Sequence, residues 1–175
     1  MSNYRFSVLT ILIVDDSKSM RSLIRVILQS WGVGTIYEAE DTDAAWQRLN
    51  EYNIDVVLVD IMMQPMTGIE FTKKIRNDDT SADPFVPVII ISGYTEREKV
   101  EAARDSGANQ VMTKPITANS LYARVVDVIE HPRPFLRSAD YFGPDRRRAQ
   151  DPNYEGVERR VAPASAGLIA GGKPQ

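Results

Sequence analysis

The sequence has no cysteine and a single histidine, His131. The first absence excludes disulfides, thiolate metal sites and cysteine nucleophiles. The second leaves a histidine-based triad or a zinc site with almost nothing to stand on. His131 itself reads as an exposed helix-end residue that complements the helix dipole. Long apolar runs are missing too. None approaches the roughly 18–20 residues needed to cross a bilayer. The apolar stretch at 8–14 is short and runs straight into two aspartates. A signal peptide would carry a longer apolar core and a small-residue cleavage site. No membrane insertion is expected, and the cytoplasm is the expected location.

What is present suits one folded unit and an extension. Of 175 residues, 43% are hydrophobic and 26% charged, the balance of a globular protein. The net charge of −3 is unevenly spread. Residues 1–131 hold 13 Lys/Arg and 19 Asp/Glu, giving −6; residues 132–175 hold 8 and 5, giving +3. The expected division is therefore a folded domain over 8–131 and a basic, largely disordered tail over 132–175. Phe135, Leu136, Tyr141 and Phe142 are the tail's candidate docking points.

Along the domain, strand and helix patterns alternate. Residues 8–14, 35–39, 54–60, 86–92 and 110–113 read as strands. Between them, apolar residues recur at helical spacing, as in Met20, Leu23, Ile24, Ile27 and Leu28. Further helices are expected over 41–50, 69–76, 96–106 and 118–130. Such alternation predicts an α/β fold: a doubly wound five-stranded parallel sheet with five helices on its two faces.

Polar residues of particular types stand where these strands stop. Asp15 and Asp16 follow the first apolar run and Asp60 ends the third strand. Ser92 ends the fourth and Lys114 follows the fifth. Parallel neighbours would bring all five to the sheet edge where ligands bind in open α/β folds. That set suits a magnesium-assisted phosphoryl-acceptor site. Asp60 is the candidate nucleophile, forming an acyl phosphate. Lys114 supplies a compact charge for a phosphoryl oxygen, and Ser92 a hydroxyl donor. Mg²⁺ prefers oxygen ligands and takes few carboxylates. Its candidate ligands are Asp15, Asp16 through water, Asp60 and the backbone carbonyl of Met62. Singly, each of these residues has an ordinary explanation as a turn, cap or surface charge. Their joint placement at strand ends does not.

The ordered set Asp15-Asp16, Asp60 with Gly68 eight residues on, Ser92-Gly93 and Lys114-Pro115 resembles the receiver domain of bacterial two-component response regulators, over roughly 8–131. The resemblance implies sheet order 2-1-3-4-5, Mg²⁺, and a histidine kinase or histidine phosphotransfer protein as donor. It also implies a Lys114-Pro115 peptide that is usually cis. Two positions depart from the family pattern. Gln64 stands where a proline is usual, with Pro65 one residue later. Val111 replaces the usual switch aromatic, for which Tyr94 is the nearest substitute.

The tail is too short and polar for a DNA-binding domain. The resemblance therefore implies a stand-alone, chemotaxis-regulator-like receiver whose output is contact with another, unknown protein. The favoured output surface is formed by 96–106, 110–113 and 118–130, and homodimerisation there is left open. Tyr141-Phe-Gly-Pro-Asp-Arg-Arg-Arg148 looks like an extension of alphaproteobacterial stand-alone receivers. Some receivers of this type bind cyclic di-GMP through arginine-rich tails, which makes Arg146, Arg147 and Arg148 candidates for a nucleotide or anionic partner. Two competing functions are weaker. A haloacid-dehalogenase-type phosphatase would carry a second aspartate two residues after the nucleophile, where Met62 stands. A nucleic-acid binder is disfavoured by a pI near 5.3, so no DNA is expected as a partner.

Overall fold

Strands rich in Val, Ile and Leu with no polar face must be covered on both sides. In the computed structural model, which describes residues 5–93, 97–146 and 167–169, this is their setting. A five-stranded sheet runs β2-β1-β3-β4-β5, and all its pairings are parallel. The strands are β1 (Thr10–Val14), β2 (Thr35–Ala39), β3 (Val56–Asp60), β4 (Val88–Ser92) and β5 (Gln110–Thr113). Every residue of β3 and β4 is buried.

Side chains alternate across the sheet and build two cores. On one face Leu12, Val14, Val57, Val59, Val88 and Ile90 pack with α2 (Thr42–Glu51), α3 (Gly68–Asn77) and α4 (Arg97–Asp105). On the other, Ile11, Ile13, Leu58, Ile89 and Ile91 meet α1 (Lys18–Ser30) and α5 (Ala118–Glu130). The expected fold class and strand order are both present.

Local chemistry sets the helix starts. Ser17 caps α1 by accepting from the Met20 amide, and Asp41 caps α2 through Ala44. Thr67 and Glu70 form a reciprocal capping box on α3, satisfying amides that would otherwise lack partners. The third and fourth strands begin at Val56 and Val88, two residues later than expected, and two further details differ. The first strand begins at Thr10, because Phe6–Val8 forms a 3-10 turn that buries Phe6 and leaves Val8 in solvent. Leu23, expected inward, lies on the outer side of α1.

The larger correction concerns the tail. Residues 132–146 were expected to be extended and outside the domain. Instead β6 (Phe135–Arg137) and β7 (Phe142–Pro144) pair as an antiparallel hairpin, and β8 (Gly167–Ile169) pairs with the other edge of β6. Phe135 and Phe142 are buried and form an edge-on cluster with Phe85.

Beneath that cluster lies Arg76, the largest fully buried side chain described. Its guanidinium donates to the carbonyls of Gly107 and Pro84 at 3.0 and 2.9 Å, and to Asn109 Oδ1 at 3.0 Å. The Phe135 ring covers it at 5.1 Å. Burial lowers its pKa to about 10, so it stays charged at neutral pH. A buried charge is tolerated when its donors are satisfied, and here the hairpin completes the enclosure. Gly107 and Gly143 allow the close approach: a Cβ on Gly107 would lie 2.6 Å from the Phe142 carbonyl oxygen, and one on Gly143 2.6 Å from the Gly107 Cα. The remainder of the tail lies outside the described residues, as does Tyr94.

Because Phe135 is buried against the domain, Phe135→Ala costs the full chain about 3 kcal/mol of unfolding free energy, the scale of a buried Phe truncation. Urea denaturation followed by circular dichroism measures it. A change within about 0.5 kcal/mol, typical of an exposed site, means the hairpin is not docked.

Candidate functional site

Register brings the chemistry together. Val14 pairs with Val59, so Asp15 and Asp60 emerge side by side one residue later. Asp60 pairs with Ile91, which places Ser92 next along. Ser92 pairs with Thr113, and the Lys114 amide donates to the Ser92 carbonyl at 2.7 Å. Asp15, Asp60, Ser92 and Lys114 thus share one sheet edge. Asp16 is exposed beside them.

The two aspartates are buried, Asp15 at 2% and Asp60 at 4% exposure. Asp15 Oδ1 accepts the Ser17 amide at 2.8 Å, and Asp60 Oδ2 the Met62 amide at 2.9 Å. Neither Asp15 Oδ2 nor Asp60 Oδ1 has a hydrogen bond of good geometry. Lys114 Nζ stands 2.7 Å from Asp60 Oδ1 and 3.8 Å from Asp15 Oδ2. The 2.7 Å contact is an ion pair with poor hydrogen-bond alignment.

Charge balance follows from these distances. Burial is the main influence on Asp15 and pushes its carboxyl up; Asp60 and Asp16 push the same way, against the Ser17 amide and Lys114. For Lys114 burial opposes the charge, but Asp60, Asp15 and Asp16 outweigh it and hold the ammonium above the ordinary lysine value. One cation serves two buried carboxylates: it pairs closely with Asp60 Oδ1 and leaves Asp15 Oδ2, 3.8 Å away, without a hydrogen bond. That is the condition a hard divalent cation would relieve. No cluster of three or more acidic or imidazole side chains forms a ready cage among the described residues. The donor set is a carboxylate pair, which suits Mg²⁺ with retained waters. The main chain at Met62 borders it, and the Met62 side chain points to solvent.

Two further residues shape the site. Gly68, at the start of α3, passes so close that a Cβ would sit 2.3 Å from the Asp60 carbonyl oxygen. The Gln64-Pro65 and Lys114-Pro115 bonds are both cis. Val111 is half-buried against the core. Arg146 is remote from the site: it pairs with Asp105 and stacks 4.0 Å over the Tyr141 ring. Arg147 and Arg148 lie outside the described residues. Sequence reasoning did not single out Arg21. Its Nη1 donates to the Asp15 carbonyl at 2.7 Å and its Nε to Glu38 at 3.2 Å. Its only sequence signal is a position on the first turns of the helix after Asp15-Asp16.

The family model for the response regulator receiver domain matches residues 11–126. The chain belongs to the response regulator receiver family. Among its relatives, chemotaxis protein CheY of Pseudomonas aeruginosa is 32% identical over 120 residues, covering 69% of this chain and 95% of that one. Chemotaxis protein CheY-3 of Vibrio cholerae is 33% identical, covering 69% and 91%. Among solved structures, CheY4 of Vibrio cholerae superposes with a TM-score of 0.63 at 29% identity, covering 69% and 98%. A CheX–CheY–BeF3–Mg²⁺ complex from Borrelia burgdorferi gives 0.61 at 32% identity, covering 69% and 89%. The matched span is the sheet, its helices and the acidic edge; the hairpin lies beyond it.

Because burial raises the Asp15 pKa, its ionised form is a cost to the fold at neutral pH, and that cost fades as pH falls through the carboxyl's titration range. Asp15→Asn therefore raises the melting temperature at pH 7 without divalent cations, and the gain shrinks as pH drops towards 4 and below. Thermal unfolding across pH tests this. A lower melting temperature for Asp15→Asn at pH 7 contradicts the assignment.

Proposed function

We propose that the chain is a response regulator that accepts a phosphoryl group on Asp60, with Mg²⁺, from a histidine kinase or histidine phosphotransfer protein. The observation that carries this reading is the buried Asp60 carboxylate beside Asp15, with the Lys114 ammonium 2.7 Å from its Oδ1. A carboxylate oxygen of Asp60 forms a bond to phosphorus while the P–N bond of the donor phosphohistidine breaks, and the imidazole leaves with a proton from solvent. Lys114 exchanges part of its pairing with Asp60 for a phosphoryl oxygen. Asp15, Asp16, Asp60 and the Met62 carbonyl hold the cation, which when bound neutralises charge shared by the carboxylates and the incoming group. Ser92 offers its hydroxyl to the new oxygens.

The module works as a switch and catalyses only its own phosphorylation and slow dephosphorylation. Met62, two residues after the nucleophile, has no acid or base to offer for rapid turnover. No helix among the described residues is long and apolar enough to cross a membrane, which is consistent with action in the cytoplasm. Output is contact with another protein through α4, β5 and α5, since Ser92 leads into α4. Dimerisation through that face is compatible with the same reading. The alternative, a cyclic di-GMP-responsive tail, would draw on Arg146, which pairs at the surface with Asp105 and stacks on Tyr141, and on Arg147 and Arg148, which lie outside the described residues.

Intact mass after incubation with acetyl phosphate and Mg²⁺ tests the acceptor. Wild type gains a phosphoryl adduct; Asp60→Asn does not, and neither does wild type with a chelator. An adduct that survives in Asp60→Asn sinks the assignment.

A further inference from the structure

Asp15 is held at three of its four polar groups. Its amide donates to the Ala39 carbonyl at 3.2 Å, which ties it to the end of β2. Its Oδ1 accepts from the Ser17 amide at 2.8 Å. Its carbonyl accepts from Arg21 Nη1 at 2.7 Å. The fourth group, Oδ2, is buried without a hydrogen bond and lies on the side of Lys114, 3.8 Å away.

The arginine is itself anchored. Arg21 Nε donates to Glu38 Oε2 at 3.2 Å, and the other oxygen of Glu38 is taken by Arg25. The Arg21 side chain is only 11% exposed, so this is not a solvated surface pair of small worth. Its own amide donates to the Ser17 carbonyl at 3.0 Å, within the turn that contains Asp15 and Asp16. One planar guanidinium therefore bridges the end of β1, the start of α1 and the middle of β2. A fixed fork of donors can satisfy a carbonyl and a carboxylate together; a lysine ammonium on a flexible stem is a poor substitute.

We propose that Arg21 is a positioning residue for the phosphoryl-acceptor site: its brace between the Asp15 carbonyl and Glu38 sets the Asp15 carboxylate in the attitude that receives the divalent cation. The inference rests on the proposed function above. Its physical basis is that loss of an outer group which orients a ligand typically costs about ten- to a hundredfold in metal affinity. Without the guanidinium, the Asp15 carbonyl loses its donor, the β1–α1 turn gains freedom, and Oδ2 no longer has one orientation. The Ser17 amide fixes the carboxylate to its own loop and the Asp15 amide ties the residue to the end of β2; Arg21 adds a side-chain brace from Glu38 of β2 to the Asp15 carbonyl, on the loop side.

The test uses the full chain as wild type, Arg21→Ala, Arg21→Lys and Glu38→Gln. Mg²⁺ alone is titrated by calorimetry and by its effect on the melting temperature, and the metal-free melting temperature is recorded beside them. Arg21→Ala is expected to weaken Mg²⁺ binding by roughly tenfold or more, the usual cost of losing an outer-shell partner. Arg21→Lys is expected to restore little of it. Glu38→Gln is expected to shift affinity the same way by less. The rate of phosphoryl-adduct formation in Arg21→Ala returns towards wild type at saturating Mg²⁺, because the reacting groups are intact. A lower metal-free melting temperature with an unchanged Mg²⁺ midpoint overturns the proposal, since it makes Arg21 a stabilising residue only. Should Arg21→Ala fail to fold, Arg21→Lys and Glu38→Gln decide by the same midpoint. Wild type that binds no Mg²⁺ overturns the proposed function, a result distinct from failure of the brace.

Discussion

Two carboxylates buried at the ends of neighbouring strands share one ammonium, and the rest of the molecule is arranged around that imbalance. Parallel pairing of Val14 with Val59 leaves Asp15 and Asp60 no choice but to emerge together. The strands beneath them are buried along nearly their whole length, so the ends cannot slide apart without breaking two packed cores. Lys114 offsets part of the repulsion, and the loops offer one amide to each carboxylate. What is left over is the buried Asp15 Oδ2, which has no hydrogen bond and lies 3.8 Å from the shared ammonium. A divalent cation would relieve that condition, and it would also make room for further negative charge.

Much of this was legible in the sequence because strand ends are legible. Fully apolar runs of four to seven residues have few alternatives to a buried strand, and the residue at which each run stops is marked by a change in chemistry. Alternation with helical patterns then fixes a parallel sheet, and parallel neighbours gather their ends at one edge. The spacing of Asp60 and Gly68 was also informative, and the close approach of Gly68 to the Asp60 carbonyl gives its physical reason. Arg21 was not legible as a site residue. Its partners are a backbone carbonyl, which carries no sequence signal, and Glu38 on the neighbouring strand.

The hairpin was missed for a different reason. Arg76 sits near the end of α3, close to Lys73 and Lys74, and was not among the inward-facing residues expected there. Its burial depends on four separate segments converging: the carbonyls of Pro84 and Gly107, the Asn109 side chain, and the Phe135 ring. No local pattern announces such a convergence. The tail's four apolar residues were visible as docking points, but nothing in the chain identified a buried guanidinium as what they dock over. Gly107 follows α4 as a helix stop, with φ of +94°. It is also the place where β7 comes closest to the domain.

Magnitudes decide what the hairpin constrains. It touches two elements that bear on the proposed output face. To α3 it is joined through the buried aromatic cluster and Arg76, where truncating a single ring costs about 3 kcal/mol. To the end of α4 it is joined by Arg146 and Asp105, whose side chains are about half exposed, and such surface pairs contribute about 0–1 kcal/mol. The hairpin is thus fixed to α3, and it also closes over the Gly107 turn that ends α4, where Arg76 holds the Gly107 carbonyl and β7 packs against the glycine. With Val111 in place of the usual aromatic, the C-terminal end of α4 is the part of the proposed output face that the hairpin restrains directly.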